Sequence, residues 1–117
     1  MLGDLIERWR VQAMQTLQGW ATEKRTLRGI PVTLINTRSD IKSEMVFQRL
    51  DTALGLIQQY RPDTFAQISH DFSRIHVVRY PCRAAFYHDS RICLIELTFT
   101  VNSEFTEAQI AASIVHE

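Results

Sequence analysis

The side chains able to do chemistry are few and scattered, apart from one pair that closes a helical pattern. The last twelve residues read Thr106-Glu-Ala-Gln-Ile-Ala-Ala-Ser-Ile-Val-His-Glu117. Thr106 is a good N-cap, Glu107 puts negative charge into the first turn, and Ile110, Ala111, Ile114 and Val115 form an apolar stripe. The pattern predicts a helix running into His116 and Glu117. It stops there without a Gly, a cap or a cationic last turn, so the expectation is a helix cut short and a chain that is a piece of a longer protein. Of the other histidines, His70 stands beside Asp71, His76 lies in an apolar run, and His88 stands beside Asp89. A neighbouring Asp can orient an imidazole on a metal or in acid–base work, but such pairs are more often turn and surface residues. No Ser-His-Asp arrangement, Gly-rich phosphate loop or Cys-x-x-Cys points to another class of enzyme.

The elements that must position these groups fit one small domain. A chain of 117 residues with 45% apolar content buries a single core. Its 13 basic and 13 acidic residues cancel without basic clusters, which argues against nucleic-acid binding. No apolar run approaches the ~18 residues of a membrane span. Asp4, Glu7, Arg8 and Arg10 break up the N-terminus, so neither a spanning helix nor a signal peptide is expected and the cytoplasm is the expected location. Cys82 and Cys93 are too few for a disulfide framework and match no structural zinc spacing, so both are expected to be free.

Along the chain, Leu2, Leu5, Ile6, Trp9, Ala13, Leu17, Trp20 and Ala21 recur at helical spacing and predict an amphipathic helix from Leu2 to about Leu27, weakened by Gly19. Its two Trp are read as packing residues. Gly29 to Asn36 is a first strand. Val46, Phe47, Leu50, Ala53, Leu54, Ile57 and Tyr60 then mark a helix that ends before Pro62. Residues 62–73 are expected to be irregular, Ile75–Tyr80 a strand, and Ala84–His88 and Arg91–Val101 two further strands about an Asp89-Ser90 turn. That turn pairs Phe86 with Cys93, Ala84 with Ile95 and Arg83 with Glu96, a register that gathers the apolar residues on one face and sets opposite charges opposite each other. The fold class is α+β: an N-terminal helix, then β-α-β-β-β-α with a mixed four-stranded sheet packed by helices.

A small-residue helix entering His116-Glu117 resembles the start of the His-Glu-x-x-His helix of zincin metallopeptidases. The element order over residues 29–117 is similar to the N-terminal half of that fold, in particular its metzincin branch. The N-terminal helix is no part of the minimal zincin pattern. The resemblance implies that His116 is a first zinc ligand and Glu117 the general base on the zinc-bound water, with the second His lying past Glu117. It also implies that an antiparallel edge strand, Ala84, Ala85, Phe86, Tyr87 and His88, takes an extended peptide substrate as an added strand. The complete protein would then be a zinc-dependent metallopeptidase hydrolysing peptide bonds, and this piece alone would be inactive. The competing expectation is a complete, non-catalytic α+β domain that mediates protein–protein interaction or dimerises through the edge strand or the Trp-bearing helix.

Overall fold

A computed structural model describes residues 22–116, so Glu117 and the helix expected before Thr22 lie outside the described residues. The described residues open on β1 (Thr22–Leu27) and β2 (Ile30–Ile35), followed by α1 (Ser43–Tyr60), α2 (Pro62–Asp71) and β3 (Arg74–Val78). It continues through β4 (Ala84–Tyr87), β5 (Ile92–Glu96), α3 (Leu97–Val101) and α4 (Glu107–His116).

The strands form one mixed sheet in the order β1-β2-β3-β5-β4. β2, β3 and β5 run parallel, while β1 and β4 are antiparallel strands at the two edges. The three parallel strands read as nearly continuous apolar runs, as strands buried on both faces do. On one face Ile30, Val32, Leu34, Ile75, Val77, Cys93 and Ile95 pack under the inner stripes of α1, α2 and α4. The other face carries a smaller cluster of Ile35, Val78, Tyr87 and Leu94.

The sheet has five strands where four are expected. Thr22–Leu27 does not continue a helix; it pairs antiparallel with β2 through a turn at Arg28 and Gly29, whose φ angles are 51° and 84°. Two positive φ values in a two-residue loop match the right-handed twist of a hairpin, so Gly29 turns the chain rather than merely stopping a helix. Arg25 then fastens β1 to α1, holding Glu44 through both guanidinium nitrogens and lying 4.3 Å from the centre of the Phe47 ring.

Two other segments differ from expectation. Residues 62–73 are mostly the helix α2: Pro62 sits at the helix start, where its missing N–H costs nothing, and Phe65, Ile68 and Phe72 bury one face. The run expected as strand to Val101 leaves the sheet at Glu96, whose carboxylate accepts the Thr98 N–H at 3.0 Å and starts the short helix α3.

The expected β4–β5 register holds, with Phe86 opposite Cys93, Ala84 opposite Ile95, and the Glu96 N–H donating to the Arg83 carbonyl at 2.9 Å. The last pair before the turn is Tyr87 with Ile92. The connection is therefore four residues, 88–91, with Arg91 at φ 55°, and His88 lies in the turn rather than at the end of the strand. Cys82 is exposed and Cys93 is buried, and neither is in a disulfide. No helix among the described residues is long and apolar enough to cross a membrane.

Candidate functional site

α4 carries His116, and three local features fix that helix. Its start is a reciprocal capping box: the Gln109 N–H donates to the Thr106 hydroxyl at 3.2 Å, while the Gln109 side-chain carbonyl accepts the Thr106 N–H at 2.8 Å. Its inner face buries Ile110, Ala111 and Ile114 against the core. Arg49 of α1 reaches across and clamps the segment before it. That guanidinium donates to the carbonyls of Thr100 at 2.9 Å, Asn102 at 3.3 Å and Phe105, and pairs with Glu107 at 3.0 Å. With these bonds gathered on one side chain, the α3–α4 connection has no orphaned carbonyl at those positions.

His116 occupies the last turn of α4 and is exposed. Val115, expected in the buried stripe, is 40% exposed. Both line an apolar groove of about 490 Å³ between the end of α1 and the outer face of α4, whose walls include Leu56, Ile57, Ala108 and Ala112. Tyr60 and Arg61, both exposed, line it as well. Tyr60 is 69% exposed and so does not close the buried stripe of α1 as its spacing predicts.

The other histidines lie apart from this groove. His70 is exposed on α2, 3.2 Å from the Asp71 carboxylate, and with Gln67, the larger influence, it holds that carboxyl below the usual carboxylate range. His88 is exposed, its ring edge-on to Phe86 at 4.9 Å between centroids. His76 is buried at the centre of the sheet, sharing a hydrogen bond of 2.6 Å between Nδ1 and the Thr33 hydroxyl. Its Nε2 is buried without a partner, and burial, reinforced by Arg74, pushes its pKa down to about 4. A neutral, sheet-bound imidazole of this kind is a core residue.

Among the described residues no three His, Cys, Asp or Glu side chains converge to hold a metal ion. His116 belongs to no such group, so the described residues do not by themselves make up a zinc site.

The expected peptide-receiving strand is an edge strand. Because the Glu96 N–H bonds the Arg83 carbonyl, the antiparallel alternation turns the backbone N–H and C=O of Ala84 and Phe86 away from β5. The two edges differ in kind. β1 carries Glu23, Lys24 and Arg25, charges that discourage a further strand, whereas β4 is Ala-Ala-Phe-Tyr and carries none.

Sequence reasoning missed Arg49, Tyr60 and Arg61 as parts of this region. The Thr106-x-x-Gln109 box is legible as a pattern, but the Arg49 clamp joins residues more than fifty apart and leaves no local signal. Comparison with protein-family models, curated proteins and solved structures finds no match to this chain.

Proposed function

We propose that this chain is the N-terminal part of a zinc-dependent metallopeptidase-like protein that hydrolyses peptide bonds when its remaining ligands are present. The observation that carries the reading is the pairing of an uncharged antiparallel edge strand, β4, with a helix-backed sheet whose last described helix ends on an exposed His116. In this reading His116 is the first metal ligand and Glu117 the general base, and the outward backbone groups of Ala84 and Phe86 take the extended substrate. The reading requires further ligands from outside the described residues, among which no three candidate ligands converge. Sequencing the gene past the codon for Glu117 and measuring zinc in the full-length product tests it. The expected result is a His four residues after His116 and bound zinc that His116→Ala removes. A stop codon after Glu117, or zinc content indifferent to that substitution, refutes it.

The same edge strand supports a second reading, a non-catalytic domain that binds a protein partner by strand addition at β4. Phe86→Pro blocks an added strand by removing an outward N–H. Loss of partner binding in that variant, with no effect of His116→Ala, favours the second reading over the first.

A further inference from the structure

The apolar groove beside His116 is shaped by what α4 leaves out. Ala108, Ala112 and His116 recur every four residues and so share one face of α4, with Ala111 and Val115 alongside. Three of these five positions are alanines, and the space larger side chains would fill is the groove between α4 and Leu56, Ile57 and Tyr60 of α1. A volume of about 490 Å³ lies within the range of small-ligand sites and accommodates one large apolar side chain with part of its backbone.

The charged and titratable lining residues come from the two helix ends: Arg61 directly follows α1 and His116 is the last residue of α4. Both line the groove, and among the described residues the lining holds no acidic side chain and Arg61 forms no ion pair. An apolar trough lined by a guanidinium that has no carboxylate partner among the described residues complements a ligand with an apolar body and an anionic end. We propose that the groove takes the carboxyl-terminal residue of a peptide, its apolar side chain between α1 and α4 and its α-carboxylate at Arg61. This assignment rests on the metallopeptidase-like reading, since it places a peptide end beside His116, and it adds a substrate class to it: peptides ending in a large apolar residue.

The test uses the 117-residue chain without added metal, so that it is independent of zinc binding. Acetyl-Ala-Ala-Phe as the free acid, the same peptide as its carboxamide, and decanoate are titrated while backbone amide resonances are followed. The free acid is expected to shift Ala108, Ala112 and Val115 and to bind about tenfold or more tighter than the carboxamide, the usual scale for losing one charge-assisted hydrogen bond. Arg61→Gln should erase the difference between acid and amide. Ala112→Phe, an exposed helix position where the fold should survive, should abolish binding. Equal binding of acid and amide, shifts confined to Ala84–Tyr87, tighter binding of decanoate than of the peptide, or unchanged binding in a folded Ala112→Phe variant would each overturn the assignment. Failure of the metallopeptidase-like reading shows separately, in the zinc content of the full-length protein.

Discussion

His76 shows how one residue type divides between chemistry and packing. Its ring lies between Thr33 on β2 and Leu94 on β5, in the centre of the sheet, with one nitrogen bonded to Thr33 and the other unpartnered. Folding therefore holds the imidazole neutral: its pKa falls from 6.5 to about 4. Below pH 6.5 the unfolded chain takes up a proton that the folded chain refuses, so His76 lowers stability as pH falls from 6.5 towards 4. Above 6.5 both states are neutral and the penalty vanishes. The full loss is about 3 kcal/mol, from roughly 1.4 kcal/mol per pKa unit. Urea unfolding of the wild type and His76→Gln at about pH 7.5 and about pH 4.5, on either side of the ordinary imidazole range, checks this. The substituted chain should lose distinctly less stability over that interval, and parallel losses in the two chains would show that His76 does not titrate with folding. His116 differs in kind because it is exposed in the last turn of α4.

At the scale of elements, α1 carries a helix-interior glycine whose role can be decided by magnitude. A Cβ on Gly55 would lie 2.8 Å from Nη2 of Arg28, whose guanidinium crosses the helix to reach Asp51 and Gln58. Replacing Gly by Ala in a helix interior gains up to about 1 kcal/mol. Displacing the end of a flexible, exposed arginine costs a few tenths, since surface ion pairs contribute about 0–1 kcal/mol. Gly55→Ala should therefore raise stability by about 0.5 kcal/mol in a thermal or urea melt, and a clear loss would mean that the Arg28 bridge matters more than its exposure suggests. The elements legible in the sequence were those with a long apolar period or a run of β-branched residues: α1, α4, β2, β3 and the β4–β5 register. Those missed were decided by one residue or by tertiary contact. The positive φ that Gly29 allows made β1 a hairpin strand, Pro62 began a helix rather than only ending one, and the alternation of Leu97, Phe99 and Val101 gave way to a helix capped by Glu96. Of the candidate site, the helix that carries His116 and the strand β4 were legible, because residue identity and pattern carry them. The groove was not, because the alanines that open it and the Arg61 that lines it acquire meaning only when α1 and α4 come together.

For the whole molecule, the helix-covered core ties β2, β3 and β5 to α1, α2 and α4, and the regions that could meet a ligand lie at its margins. β3 is central, hydrogen-bonded to a parallel strand on each side and buried along Ile75–Val78, so its amides should open only with global unfolding. α4 is held at its beginning by the Thr106–Gln109 box and the Arg49 clamp and along its middle by Ile110 and Ile114, but its end, Val115 and His116, is exposed. Stability should therefore fall along α4 from its first turn to its last, because a helix end with few buried contacts frays locally. Hydrogen exchange of the 117-residue chain should show slow exchange at Ile75–Val78, intermediate exchange at Ile110–Ala111 and fast exchange at Val115–His116. Protection at His116 equal to that of β3 would mean that the end of α4 is as firmly held as the sheet, and His116 would then have to be read as a packing residue. With the free-acid peptide in excess, exchange over Ala112–His116 should slow while Ile75–Val78 keeps its rate relative to global unfolding, because a ligand bridging α1 and α4 supplies the contacts the last turn lacks.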